Sequence, residues 1–131
     1  MAGTASGKCL CGNITYTIEG DAKFSMICHC EQCQKITGTG HAAQFAIEES
    51  EVDLQGYISL YELNAESGSK VKSAFCGECG CPIYKTTDSM PGAIFFHAGS
   101  LEDTSQFKPE FVVYEDSKAH WDHVNLAIPR K

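Results

Sequence analysis

With 131 residues, 43% hydrophobic and 21% charged, the chain has the composition of one soluble globular domain over residues 1–131, which excludes disorder and fibrous or low-complexity assembly. A formal charge of −7 and a single arginine, Arg130, exclude phosphate-tracking nucleic-acid binding, which rests on clustered Lys and Arg. No apolar run approaches the ~20 residues that span a bilayer, and the start, MAGTASGKC, lacks the basic and apolar regions of a secretory signal, so a cytoplasmic protein with no membrane role is expected.

In chain order, residues 13–20 (NITYTIEG) set Ile14, Tyr16 and Ile18 against Thr15, Thr17 and Glu19, the period of two of a half-buried strand, and leave through the turn-like Gly20-Asp21. Residues 31–37 (EQCQKIT) form the best helix candidate. Further strands are predicted over 40–47 (GHAAQFAI), 57–63 (YISLYEL, after the turn residue Gly56), 70–75 (KVKSAF), 83–87 (IYKTT), 93–101 (AIFFHAGSL) and 110–115 (EFVVYE), with Pro91-Gly92 and Pro109 between the last of them. Many short strands with frequent turns predict an all-β domain, a small β-sheet fold with at most one or two short helices. Tyr57, Tyr61, Phe95, Phe96 and Trp121 are expected in the core.

Eight cysteines fall into three groups: Cys9-Leu10-Cys11-Gly12, Cys28-His29-Cys30-Glu31-Gln32-Cys33 and Cys76-Gly77-Glu78-Cys79-Gly80-Cys81. In a reducing compartment, CxC and CxxC spacings favour one shared ion over disulfides. On a strand, CxC would place both sulfurs on one face, and in a tight turn CxxC lets two thiolates reach one ion; Gly12 and Gly80 suit positive φ beside the sulfurs. Thiolate donors select zinc, copper(I) or iron–sulfur chemistry; the usual ferredoxin spacings do not occur, so zinc is the expected metal. Ligation of two divalent ions by seven thiolates would take the charge to about −10.

Spacing does not decide between two four-sulfur sites and one four-sulfur plus one three-sulfur site. Loop closure favours the latter, because joining Cys9 and Cys11 to Cys76 and Cys79 constrains more than sixty residues. Cys81 either completes the second set or is a small buried hydrophobe, and the second role is expected because it belongs to the other knuckle. His29 is either a general base or, pointing away from Cys28 and Cys30, a packing residue. His41, His97, His120 and His123 have no metal spacing with the cysteines; core or surface placement is expected for all four, though His120-x-x-His123 could bind a metal weakly. Lys35 is either a carboxylate partner or a solvated surface group.

The order CxCG, CHCxxC followed by Lys35 and Gly38, FCxxCG over 75–80, AGSL over 98–101 and the late Trp121 resembles the glutathione-dependent formaldehyde-activating enzyme family, which also includes centromere protein V, from about residue 7 to residue 129. The resemblance implies an all-β fold with two zinc ions: a structural one on Cys9, Cys11, Cys76 and Cys79, and a second, open and labile, on Cys28, Cys30 and Cys33, with no catalytic residue beyond the zinc held by these three. It implies a carbon–sulfur lyase-type reaction that joins a small thiol such as glutathione with formaldehyde to give S-hydroxymethylglutathione. The alternative class is a non-catalytic zinc-stabilised binding module. With one arginine, recognition of the two carboxylates of glutathione would fall to Lys, backbone N–H groups or a helix start.

Overall fold

A computed structural model describes residues 3–131. Among them the chain forms ten strands, one α-helix and four 3-10 turns, in the order β1 (Thr4–Lys8), β2 (Thr15–Glu19), β3 (Phe24–Cys28), α1 (Glu31–Thr37), β4 (Ala42–Glu48), β5 (Val52–Gln55), β6 (Ile58–Asn64), β7 (Lys70–Cys76), β8 (Pro82–Thr87), β9 (Ala93–His97) and β10 (Phe111–Val113). The expected all-β architecture with one short helix is what the chain adopts.

A three-stranded antiparallel sheet runs β1-β2-β5, and a seven-stranded sheet runs β10-β3-β4-β9-β8-β7-β6, with β10 parallel to β3 and the other pairs antiparallel. The central strands β4 and β9 carry apolar residues on both faces, and each face has its own core. On one face Phe45 pairs with Phe96 and Ile47 with Ile94, and these pack with Tyr16 and Ile18 of the small sheet. On the other, Ala46 pairs with Phe95, and these gather with Met26, Cys28, Cys33 and Ala42 beneath α1. Burial on both faces explains why GHAAQFAI and AIFFHA read as near-continuous apolar runs without alternation.

Three strands escape sequence reading. β1 alternates in burial, but its inward residues are Ala5 and Gly7, which give almost no hydrophobic signal. The reason lies opposite: the Tyr16 phenol fills the space a side chain at 7 would take, and its Oη meets Ser100 Oγ at 2.6 Å. Gly7→Ala would drive its Cβ into that phenol and to 2.5 Å from the Ser100 carbonyl oxygen. Overpacking of this kind costs about 1–3 kcal/mol, and a lower urea midpoint at unchanged slope is the expected result. β3 and the four-residue β5 are hidden by the cysteine cluster and by shortness respectively.

Two further expectations are corrected. The strand predicted over 93–101 stops at His97 and turns into 3-10 geometry over Ala98–Ser100. Tyr57, Tyr61 and Trp121 are not core residues: they are 85%, 65% and 61% exposed, whereas Phe95 and Phe96 are buried. β6 is an edge strand paired only with β7, and Trp121 lies in the irregular C-terminal segment, so no second layer covers these rings.

Candidate metal centre and adjoining cavity

Cys9 and Cys11 follow β1, and Cys76 and Cys79 close β7, so the two knuckles meet although sixty-five residues separate Cys11 from Cys76. The four sulfurs lie within 4.8 Å of one another, with Cys9 Sγ 3.6 Å from Cys11 Sγ and Cys11 Sγ 3.7 Å from Cys76 Sγ. A tetrahedral ion with ~2.3 Å metal–sulfur bonds separates its sulfurs by about 3.8 Å, so this donor set fits zinc. Both knuckles turn on glycine in the left-handed region, Gly12 at φ 82° and Gly80 at φ 76°, whose N–H groups donate to the Cys9 and Cys76 carbonyls. The Ile14 N–H donates to Cys9 Sγ at 3.3 Å, as suits a thiolate.

Cys28, Cys30 and Cys33 form a second group, also within 4.8 Å. Only Cys28 lies in a strand; Cys30, at φ −59° and ψ 154°, caps α1 and accepts the Cys33 N–H at 3.3 Å. The chain therefore converges these sulfurs through a strand-to-helix turn, and the expected strand alternation does not apply. Hydrogen bonds from the Cys28 and Cys33 thiols pull Cys30 far down, while sharing with Cys30 pushes Cys28 up and sharing with Cys28 and Cys30 pushes Cys33 up. One thiolate forms readily, and the remaining protons leave when a cation compensates the charge.

Lys85 of β8 places Nζ 3.8 Å from Cys33 Sγ and 5.5 Å from the Phe95 ring centroid. Sequence reading missed it, because a bulge at Ile83 breaks the alternation of β8: Ile83 joins the core between the sheets, while Lys85 stands opposite Phe95 on the other face. Lys35, by contrast, is exposed.

His29 is buried, and Nδ1 lies 3.2 Å from the Gly40 carbonyl oxygen and 3.3 Å from Asp122 Oδ2, so that nitrogen carries the proton. His41 Nδ1 donates to the same Asp122 oxygen at 2.7 Å. These bonds tie the C-terminal segment to the cysteine loop. His29, His41 and Asp122 are also close enough to form a metal-ligating cluster that the sequence did not suggest. Cys81 belongs to neither sulfur group; it packs partly buried against the core beside Cys9 and Cys76, its Sγ 3.7 Å from the Pro82 carbonyl oxygen.

A cavity of about 460 Å³ opens beside the trio, with Cys28 and Cys30 in its wall and Phe24, Met26, Phe95 and Phe111 as its apolar lining. Phe24 stands edge-on to Phe95 at 5.7 Å and lies 5.8 Å from Phe111. Cys33 is buried behind this wall.

His97 faces Gln44 across β9 and β4, and neither its ring nitrogens nor the Gln44 amide atoms have a partner among the described residues. Burial, then Lys85, lowers the His97 pKa to about 4. The unfolded chain, with its histidine near 6.5, then binds the proton more readily, so stability present above that value is lost as pH falls toward 4. Between pH 7 and pH 5 this group should remove about 2 kcal/mol, one pKa unit being ~1.4 kcal/mol. Urea unfolding at both pH values should show that extra loss in the natural protein and not in His97→Leu.

Residues 4–117 match the family described as glutathione-dependent formaldehyde-activating enzyme. Among curated proteins no sequence matches significantly. A crystal structure of a Rhodobacter sphaeroides protein, a structural-genomics target, is similar in fold, with a TM-score of 0.62 and 17% identity over 96% of this chain and 99% of that one. Among the described residues, no helix is long and apolar enough to cross a membrane.

Proposed function

Because the chain belongs to the glutathione-dependent formaldehyde-activating enzyme family, we propose that it is a single-domain, zinc-dependent carbon–sulfur lyase-type enzyme that combines a small thiol with formaldehyde in the cytoplasm. Glutathione is the thiol that the family description names, and S-hydroxymethylglutathione would be its product. The observation that carries this reading is the contrast between the sulfur groups. Four sulfurs converge within 4.8 Å, enough donors for a closed site, whereas the second group has three, of which Cys28 and Cys30 line a cavity large enough for a small molecule. Eight free cysteines suit a reducing compartment.

In this reading Cys9, Cys11, Cys76 and Cys79 would hold a structural zinc, and Cys28, Cys30 and Cys33 would hold a second beside the cavity. The bound ion supplies a stabilised thiolate at neutral pH. The rest falls to the chain. Lys85, 3.8 Å from Cys33 Sγ, offsets part of the negative charge gathered by three thiolates. Phe24, Phe95 and Phe111 would give the reacting atoms an apolar wall beside Cys28 and Cys30. The addition is balanced without a redox partner: the thiol loses its proton, carbon–sulfur bond formation opens the carbonyl, and the former carbonyl oxygen takes up a proton.

The test follows adduct formation by NMR exchange, with thiol, formaldehyde and zinc-loaded protein present. Exchange faster than the uncatalysed background, lost in Cys30→Ser, is expected. Rates equal to background at every protein concentration would leave a zinc-stabilised binding module.

A further inference from the structure

Resting on that reading, we infer that the thiol accepted by this cavity is apolar and ring-bearing, with at most one carboxylate, and that glutathione is a poor ligand for it. Three aromatic rings, Phe24, Phe95 and Phe111, with Met26 and Met90, make the wall beside Cys28 and Cys30. The charged side chains in the lining are Glu31, Glu66 and Lys85, two carboxylates against one ammonium, and Lys85 is already drawn to Cys33.

Glutathione brings two carboxylates, an ammonium and two amides. A lining glutamate could meet the ammonium, which leaves both carboxylates to one lysine and to uncharged hydroxyls such as Ser67 and Ser117. A carboxylate taken from water without a charged partner is disfavoured. The arginine that usually serves such groups is committed elsewhere. Arg130 donates to the carbonyls of Val124, Leu126 and Ile128 and pairs with Glu115 at 2.8 Å, where it closes the C-terminal loop. The net charge of −7 adds long-range repulsion of anions. Volume does not separate the two ligand classes, since 460 Å³ lies within the range of small-molecule sites. Charge does.

Tyr114 is itself part of the cavity lining. It is the one non-glycine residue with positive φ among the described residues, at 55°, and its ring is 62% exposed beside the cavity-lining Val113. A bulky residue in the left-handed region is strained, and such strain is kept where surrounding structure enforces it. Here it leaves an aromatic ring exposed within the cavity lining.

Full-length protein with cobalt(II) exchanged into the three-sulfur group is titrated with phenylmethanethiol and with glutathione at one pH and ionic strength. Calorimetry reports binding, and visible absorption reports sulfur reaching the metal. Phenylmethanethiol should bind at least tenfold tighter than glutathione and shift the cobalt spectrum. Phe111→Ser should weaken it at least fivefold and leave glutathione unchanged; Tyr114→Ser, at an exposed position, should weaken it in the same direction should Phe111→Ser fail to fold. Glutathione binding as tightly as phenylmethanethiol overturns the inference, and so does absence of binding by either thiol. Tight aromatic binding with an unchanged cobalt spectrum upholds the apolar cavity and overturns instead the reading of a metal-directed thiol.

Discussion

Cys76→Ser is expected to abolish the cooperative thermal transition of the zinc-loaded protein, or to lower its midpoint by more than 20 °C (~4–8 °C per kcal/mol for a small domain). Cys76 ends β7 of the large sheet, and its sulfur lies 3.7 Å from that of Cys11, just beyond β1 of the small sheet. A zinc there ties the two sheets at the edge of the core they share, where Cys9 and Cys76 are themselves buried among Ile14, Ile83 and Phe96. Apparent binding energies of structural zinc run to about 10–16 kcal/mol, against a net stability of ~5–15 kcal/mol for a whole domain. Loss of one of four thiolates therefore weakens a term as large as the stability. Cys81→Ser is the control. Its sulfur lies outside both groups, so a change below ~1 kcal/mol is expected, read as nearly coincident thermal curves.

Cys30→Ser should do the reverse, removing activity by 100-fold or more while the fold persists. Cys30 belongs to the trio on the α1 face, away from the core between the sheets. A serine there remains a good helix cap, able to accept the Cys33 N–H that the sulfur now accepts at 3.3 Å, so α1 keeps its start. What is lost is a charged donor for the metal beside the cavity. Circular dichroism matching the natural protein, with the adduct-forming rate at background, is the expected pair of results. An unfolded Cys30→Ser protein would show that the trio, too, is a structural staple.

The cysteine knuckles were legible because the motifs carry their own local chemistry, donor spacing and glycines suited to positive φ, and the helix over 31–37 was legible from its residues, although the Cys30 side chain that caps it was not. The pairing of the outer knuckles followed from loop closure and from the family resemblance, and the sulfurs meet as both implied. The cavity was not legible, because its walls come from five separated segments and Phe24, Phe95 and Phe111 are brought together only by strand order. β10 pairs parallel to β3 after a long connection, and no local pattern announces that. Asp122 was hidden for the same reason: its partners His29 and His41 are more than eighty residues earlier. Aromatic residues misled at Tyr57, Tyr61 and Trp121, because hydrophobicity reports a tendency to be covered and not whether a covering layer exists.

Metal counting during exposure to a mild chelator tests the central claim most directly, namely that the chain completes one zinc site and leaves the other open to the cavity. Two zinc ions per chain are predicted, one released early with loss of adduct formation and one retained until the protein unfolds. Cys30→Ser should hold one. Two equally inert ions in the natural protein, with Cys81 shown to be a ligand, would contradict the account.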